Sequence, residues 1–124
     1  MANVVISVSK GRVVEFYNRV KSNDPATSAL ILVPIETAGL EADAALIDSL
    51  TLAEVLDGTT NEQTTMGRKT LTDADLAALP GPDTTNDRYD VSLPTVTWTA
   101  ATGNAISKIL VCYDADTGAG TDAN

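Results

Sequence analysis

Between Arg88 and Asp114 the alternation of apolar and polar residues changes phase. Tyr89, Val91 and Leu93 alternate with Arg88, Asp90 and Ser92. Beyond Pro94 the apolar set becomes Val96, Trp98 and Ala100, with Thr95, Thr97 and Thr99 between them. Side chains on a β-strand change face at every residue, so one strand cannot keep both sets on one face without a bulge or a break. Pro94 is the natural place for it, because proline lacks the N–H of a regular ladder. The stretch therefore predicts one bent strand, or two strands serving different sheets. Ala101–Asn104 reads as a turn, and Ile106–Tyr113 returns as a strand. In that strand Ile109, Val111 and Tyr113 face one way and Leu110 and Cys112 the other. Both faces read as buried from Ile109 onward, which predicts a central strand. A hairpin of these two halves is the expected organising element.

The rest of the chain supplies helices and one further strand. Ala2–Ser9 alternates, with Val4, Ile6 and Val8 on one face, and fits a short strand or extended arm. From Lys10 to Lys21 the period lengthens. Val13, Phe16, Tyr17 and Val20 stand at i, i+3, i+4 and i+7, the apolar face of a helix. Ser9 is its expected N-cap, and Ser22-Asn23-Asp24-Pro25 its stop. Ala29–Ile35, ALILVPI, reads as a strand buried on both faces, with Pro34 near its end or at an edge. Glu41–Leu50 fits either a short helix or an acidic loop. Thr51-Leu52-Ala53-Glu54 matches a capping box. Leu50 and Val55 stand in the staple positions and Gly58 in the place of a left-handed C-terminal residue, so a helix is expected over Leu52–Asp57. Gly58–Gly67 is polar and aperiodic, an exposed loop. Arg68–Leu71 fits a short strand, and Thr72 starts a turn or short helix over Asp73–Leu79.

Together these elements predict an α+β fold: a small β-rich single domain, sheet or sandwich, with one amphipathic N-terminal helix and one or two short helices. Residues 1–9 form the strand or arm, 10–114 the domain, and 115–124 a flexible acidic tail. At 124 residues the chain fits one domain and is long enough to bury a core. Its net charge of −9 repels phosphate backbones, so no nucleic-acid partner is expected. No run approaches the roughly 18 apolar residues of a membrane span, so no membrane partner is expected. The start, MANVVISVSKGR, lacks the marks of a signal peptide, and synthesis in a cytoplasm is the default.

No catalytic, cofactor or metal site is expected. The chain has no His and one Cys, which excludes a Cys/His zinc site and an intrachain disulfide. Cys112, within LVCY, reads as a small buried hydrophobe without a base to activate it. Asp114, Asp116 and Asp122 have a spacing that hard cations use, but Gly118 occupies a ligand position and the terminal Glu is absent. Asp73 and Asp75 are explained by a helix start. Trp98 reads as a core anchor. The interface candidates are Val4, Ile6 and Val8 of the arm, and Asn61, Glu62, Gln63 and Met66 of the loop. Terminal arms and loops on a rigid frame are where partner contacts concentrate.

Four blocks carry a family likeness: KGRVVEFYNRVKSNDPATSALILVPIE (Lys10–Glu36), RKTLTDADLAALPGPD (Arg68–Asp83), NDRYDVSLPTVTWTA (Asn86–Ala100) and KILVCYDADTGAGTD (Lys108–Asp122). In these the chain resembles a family of small virion proteins of tailed bacteriophages. The resemblance implies a structural protein and no enzyme. It points to a capsid decoration or minor capsid protein, with the major capsid protein or other virion proteins as partners. A tail, connector or fibre-base protein, or a host- or glycan-binding module, is the alternative. The implied location is the virion, at the capsid surface, with a homo-oligomer on the particle. Relatives continue past the block matching Asp122 into further strand-forming sequence, while this chain stops at Asn124. A last strand of the sheet is thus expected to be missing here or supplied by a neighbour.

Overall fold

A computed structural model describes residues 3–119. They form a mixed α+β domain on a three-stranded antiparallel sheet. In chain order the elements are a 3-10 turn at Ser7–Ser9, α1 (Val13–Lys21), β1 (Ala29–Glu36), α2 (Asp43–Leu46), α3 (Leu52–Val55), β2 (Lys69–Leu71), α4 (Asp73–Leu76) and β3 (Ile106–Asp114). Three short helices are present among the described residues, where one or two were expected, because Asp43–Leu46 closes a single helical turn.

The apolar run Ala29–Ile35 becomes the central strand, in the order β2-β1-β3. Both of its faces are buried, as the unbroken apolar run implies. Leu30 and Leu32 pack with Tyr17, Val20, Leu71 and Leu76 on one face, while Ile31, Val33 and Ile35 pack with Leu52 on the other. Each such side chain taken from water stabilises the fold by roughly 1.5–3 kcal/mol. Pro34 is tolerated in a central strand because β2 pairs only with Leu30–Leu32 and stops short of it. The Pro34 carbonyl instead accepts from the Gln63 N–H at 2.9 Å.

Helix α1 begins at Val13, not Lys10, and Ser9 is not its cap. Gly11 has a φ of +77°, which only glycine adopts at no steric cost, and the chain bends there before the helix starts. The apolar face is as expected: Tyr17 and Val20 are buried, and Phe16 stacks on Tyr113 with ring centroids 4.6 Å apart. At the far end Lys21 Nζ donates to the carbonyls of Leu76 and Leu79, at 2.7 and 2.6 Å. It thereby ties α1 to the end of α4. Replacing Lys21 with Met keeps the alkyl stem and removes these charged hydrogen bonds. We expect a loss of about 2 kcal/mol in urea unfolding.

Capping chemistry holds where it is local. Thr51 Oγ1 accepts from the Glu54 N–H at 3.2 Å, and the Asp75 carboxylate accepts from the Thr72 N–H at 2.8 Å. Two finer expectations fail. Leu50 is 60% exposed and makes no staple with buried Val55. Gly58 does not take a left-handed conformation; it leaves room for the Glu41 carboxylate, which a Cβ there would strike. Glu41 in turn accepts from the Thr60 hydroxyl at 2.9 Å.

The largest correction concerns the organising hairpin. Ile106–Asp114 pairs with Ala29–Glu36, and Tyr89–Ala100 joins no ladder. β3 is therefore an edge strand, and Ile109 and Val111 are exposed. The alternation of burial also runs unbroken through Pro94, with Ser92, Pro94, Val96 and Trp98 turned inward. The phase change in the sequence is thus not absorbed by a bend. It leaves Val91 and Leu93 on the outward side. Trp98 is a partly buried anchor, its Nε1 donating to the Gly67 carbonyl at 2.9 Å.

Of the expected strand or extended arm, Asn3–Ile6 is without ladder partners and Ser7–Ser9 is a 3-10 turn. The described part of the expected acidic tail, residues 115–119, contacts the loop before β1. Asp116 accepts from Thr27 Oγ1 at 2.7 Å, and the Thr117 N–H donates to the Thr27 carbonyl at 3.1 Å. Asp122 and the rest of 120–124 lie outside the described residues.

Candidate interaction site

The register of β1 decides what β3 offers to its surroundings. Pro34 O and Glu36 N bond to Gln63 and Asn61 on the β2 side. Backbone groups alternate along a strand, so Ile31, Val33 and Ile35 turn theirs toward β3. These residues stand opposite Cys112, Leu110 and Lys108. The intervening residues Ile109, Val111 and Tyr113 then direct their N–H and C=O groups to the outer edge. No other strand meets that edge among the described residues.

An open groove of about 1030 Å³ runs beside this edge. Both faces of the sheet contribute to it: Phe16 of α1, stacked on Tyr113, on one side and Leu52 of α3 on the other. Val91 and Leu93, turned outward by the phase change, add to the lining, as do Ile109 and Val111. Val111 is 48% exposed. Charge plays little part in it. Lys108 is paired with Asp43, and Arg12 is held by Glu15 at 3.2 Å while its guanidinium lies over the Phe16 ring. The lining is mostly apolar.

The residues singled out in the sequence divide sharply. Val4, Ile6 and Val8 all line the groove, and Val4 and Val8 are exposed. The loop residues stand apart from it. Gln63 is 1% exposed and cannot meet a partner: its Nε2 donates to the Asn104 carbonyl at 2.7 Å, and its Oε1 accepts from the Thr65 N–H at 2.9 Å. Glu62 is engaged in a two-pronged pair with Arg68, at 2.7 and 2.9 Å. Asn61 is exposed, with its amide on the Thr59 carbonyl, and Met66 is half-buried. The expected exposed loop is in part an internal brace, because the buried side chains of Thr60 and Gln63 bond to the backbone of Glu41 and Asn104. Sequence reasoning missed Val91, Leu93, Ile109 and Val111. The phase change at Pro94 was the available signal, since an apolar pair out of step with its strand must face somewhere else.

Burial pushes the Cys112 thiol up to about 11, and the opposing effect of Arg68 is smaller. The folded state therefore holds the proton between the ordinary thiol value and that one, so stability falls as pH rises through this window. At pH 8 we expect slow labelling of native Cys112 by a thiol reagent, and fast labelling in urea. Equal rates in the two conditions would show that the thiol is not shielded. No group of three or more His, Cys, Asp or Glu that could hold a metal ion occurs among the described residues. No helix among them is long and apolar enough to cross a membrane. Comparison with protein-family models, with curated proteins and with solved structures found no match to the chain.

Proposed function

We propose that the chain is a structural component of a tailed-phage virion, a capsid decoration or minor capsid protein that binds the assembled shell. The observation that carries this reading is the groove: an unpaired strand edge between apolar walls is a surface for another polypeptide. The four sequence blocks that resemble phage virion proteins supply the setting. The net charge of −9 suits a basic capsid surface, where complementary charge steers encounter and orientation. The reading needs no enzyme chemistry, because particle proteins act by shape and contact.

Cosedimentation with purified shells, followed by gold labelling of whole particles, tests it. We expect the chain to pellet with assembled shells and to bind free capsid subunits little. Label confined to the tail or connector would replace the capsid position with a tail role. Failure to bind any particle component would overturn the proposal.

A further inference from the structure

Backbone and side chains of the β3 edge fix the form of what lies against it. The outward N–H and C=O groups of Ile109 and Val111 suit a partner backbone in extended form. The edge has none of the usual guards against pairing: β3 is nine residues long and free of proline, and its lysine, Lys108, is occupied by Asp43. The space beside it is apolar, lined by exposed Val91, Leu93, Ile109 and Val111.

Charge narrows the chemistry further. The charged residues of the lining itself are paired within the chain, but the rim of one wall is not. From Ser22 to Gly67 the chain has eight Asp or Glu and no Lys or Arg, so this stretch holds nearly all of the net charge of −9. The wall built by α2, α3 and the turn between them lies inside it. Exposed Asp48 and Glu54 meet only uncharged donors among the described residues, the Ser7 hydroxyl and the Leu50 N–H. Between these two carboxylates in sequence stands Leu50, 60% exposed and part of the lining. That arrangement fits a long basic side chain, whose methylene stem covers the leucine while its charged head reaches a carboxylate. The α1 wall differs, because Arg12 there is already held by Glu15 and lies over the Phe16 ring. An occupant is thus basic toward α2 and α3 and apolar toward α1.

We propose that the groove takes an extended segment of a partner protein in which apolar residues alternate with Lys or Arg, laid as a fourth strand against β3. A strand sends successive side chains to opposite faces, which is the division the two walls require. The segment's apolar residues face Phe16, its basic residues pass over Leu50 to Asp48 and Glu54, and its backbone bonds to Ile109 and Val111. None of β1, β2 and β3 alternates in this way, so a second copy of the chain does not supply such a strand. For the partner's identity the proposal rests on the virion reading, which places the segment in a basic protein of the particle.

Titration with short blocked peptides tests it: one alternates valine with lysine, one alternates valine with glutamate, and one has the lysine composition in an order without alternation. We expect the alternating lysine peptide alone to bind, with the amides of Ile109 and Val111 gaining protection from hydrogen exchange. Val111→Asp adds a negative charge, so charge attraction by itself would tighten binding, whereas seating in the groove predicts a loss of about tenfold or more. Asp48→Lys should weaken binding roughly three- to fivefold. Both sites are exposed, so neither change enters the core. Four results overturn the proposal: no binding by any of the peptides; equal binding of either control peptide; tighter binding by Val111→Asp; and binding that leaves the edge amides unprotected. Edge protection that rises with the concentration of the chain alone also overturns it, and assigns the groove to a second copy. The two readings fail separately. Shells bound equally by wild type and Val111→Asp remove the strand contact and leave the virion reading intact. A peptide seated on the edge of a chain that binds no particle component removes the virion reading and supports the strand contact.

Discussion

Valine in place of Gly39 is expected to destabilise the fold by at least about 3 kcal/mol, enough to be read as a large drop in the urea midpoint. Gly39 has a φ of +81°, and a Cβ there would fall inside the Thr59 carbonyl oxygen and 2.9 Å from Asn61 Nδ2. Neither neighbour is free to give way. Thr59 Oγ1 donates to the Gly39 carbonyl at 2.7 Å, and Asn61 Nδ2 donates to the Thr59 carbonyl at 2.9 Å. The two loops that follow β1 and α3 are locked together at this point. Gly11→Ala separates backbone conformation from collision. Gly11 has a similar φ of +77° but open space around it, so its substitution should cost only about 1–2 kcal/mol. Equal losses at the two glycines would show that the close approach at Gly39 contributes nothing.

Leu76→Ala is expected to cost about 3 kcal/mol, measured by the same unfolding curves. Leu76 is fully buried and joins α4 to the core with Tyr17, Val20, Leu30, Leu32 and Leu71. Several elements converge on it, so the cavity cannot close by the shift of a single side chain. Leu50→Ala is the matched control. Its side chain is exposed despite its apolar type, and the change should stay within about 0.5 kcal/mol. A loss at Leu50 comparable to that at Leu76 would mean that Leu50 is buried in solution, as in an assembled form of the chain.

Much of the local structure was legible beforehand. The face Val13, Phe16, Tyr17, Val20 and the caps at Thr51 and Thr72 depend on residues a few positions apart. Errors appeared where a local signal had two physical solutions. Gly58 fits a helix stop as well as it fits close packing, and the Glu41 carboxylate some 17 positions earlier made the choice. A polar loop fits solvent as well as it fits internal bracing, and the Asn104 carbonyl, 41 positions later, took the Gln63 amide as its donor. Of the candidate site, the arm residues Val4, Ile6 and Val8 were visible as an apolar stripe, and the groove they line was not.

The sequence by itself determined the apolar face of the first helix, the caps at Thr51 and Thr72, and that Ala29–Ile35 is an extended run buried on both sides. Side-chain periodicity carries those facts, because a face repeats every two or 3.6 residues wherever the segment ends up. Tertiary structure alone decided that β1 is the centre of the sheet and that β3 pairs with it across 70 to 85 residues, from Glu36 with Ile106 to Ala29 with Asp114. It also decided that Val91 and Leu93 turn outward beside an open edge. Backbone hydrogen bonds are chemically the same at every residue, so a strand's sequence does not name its partner. The competition among long-range pairings settles that choice, and here it leaves one edge and its apolar groove without a strand among the described residues.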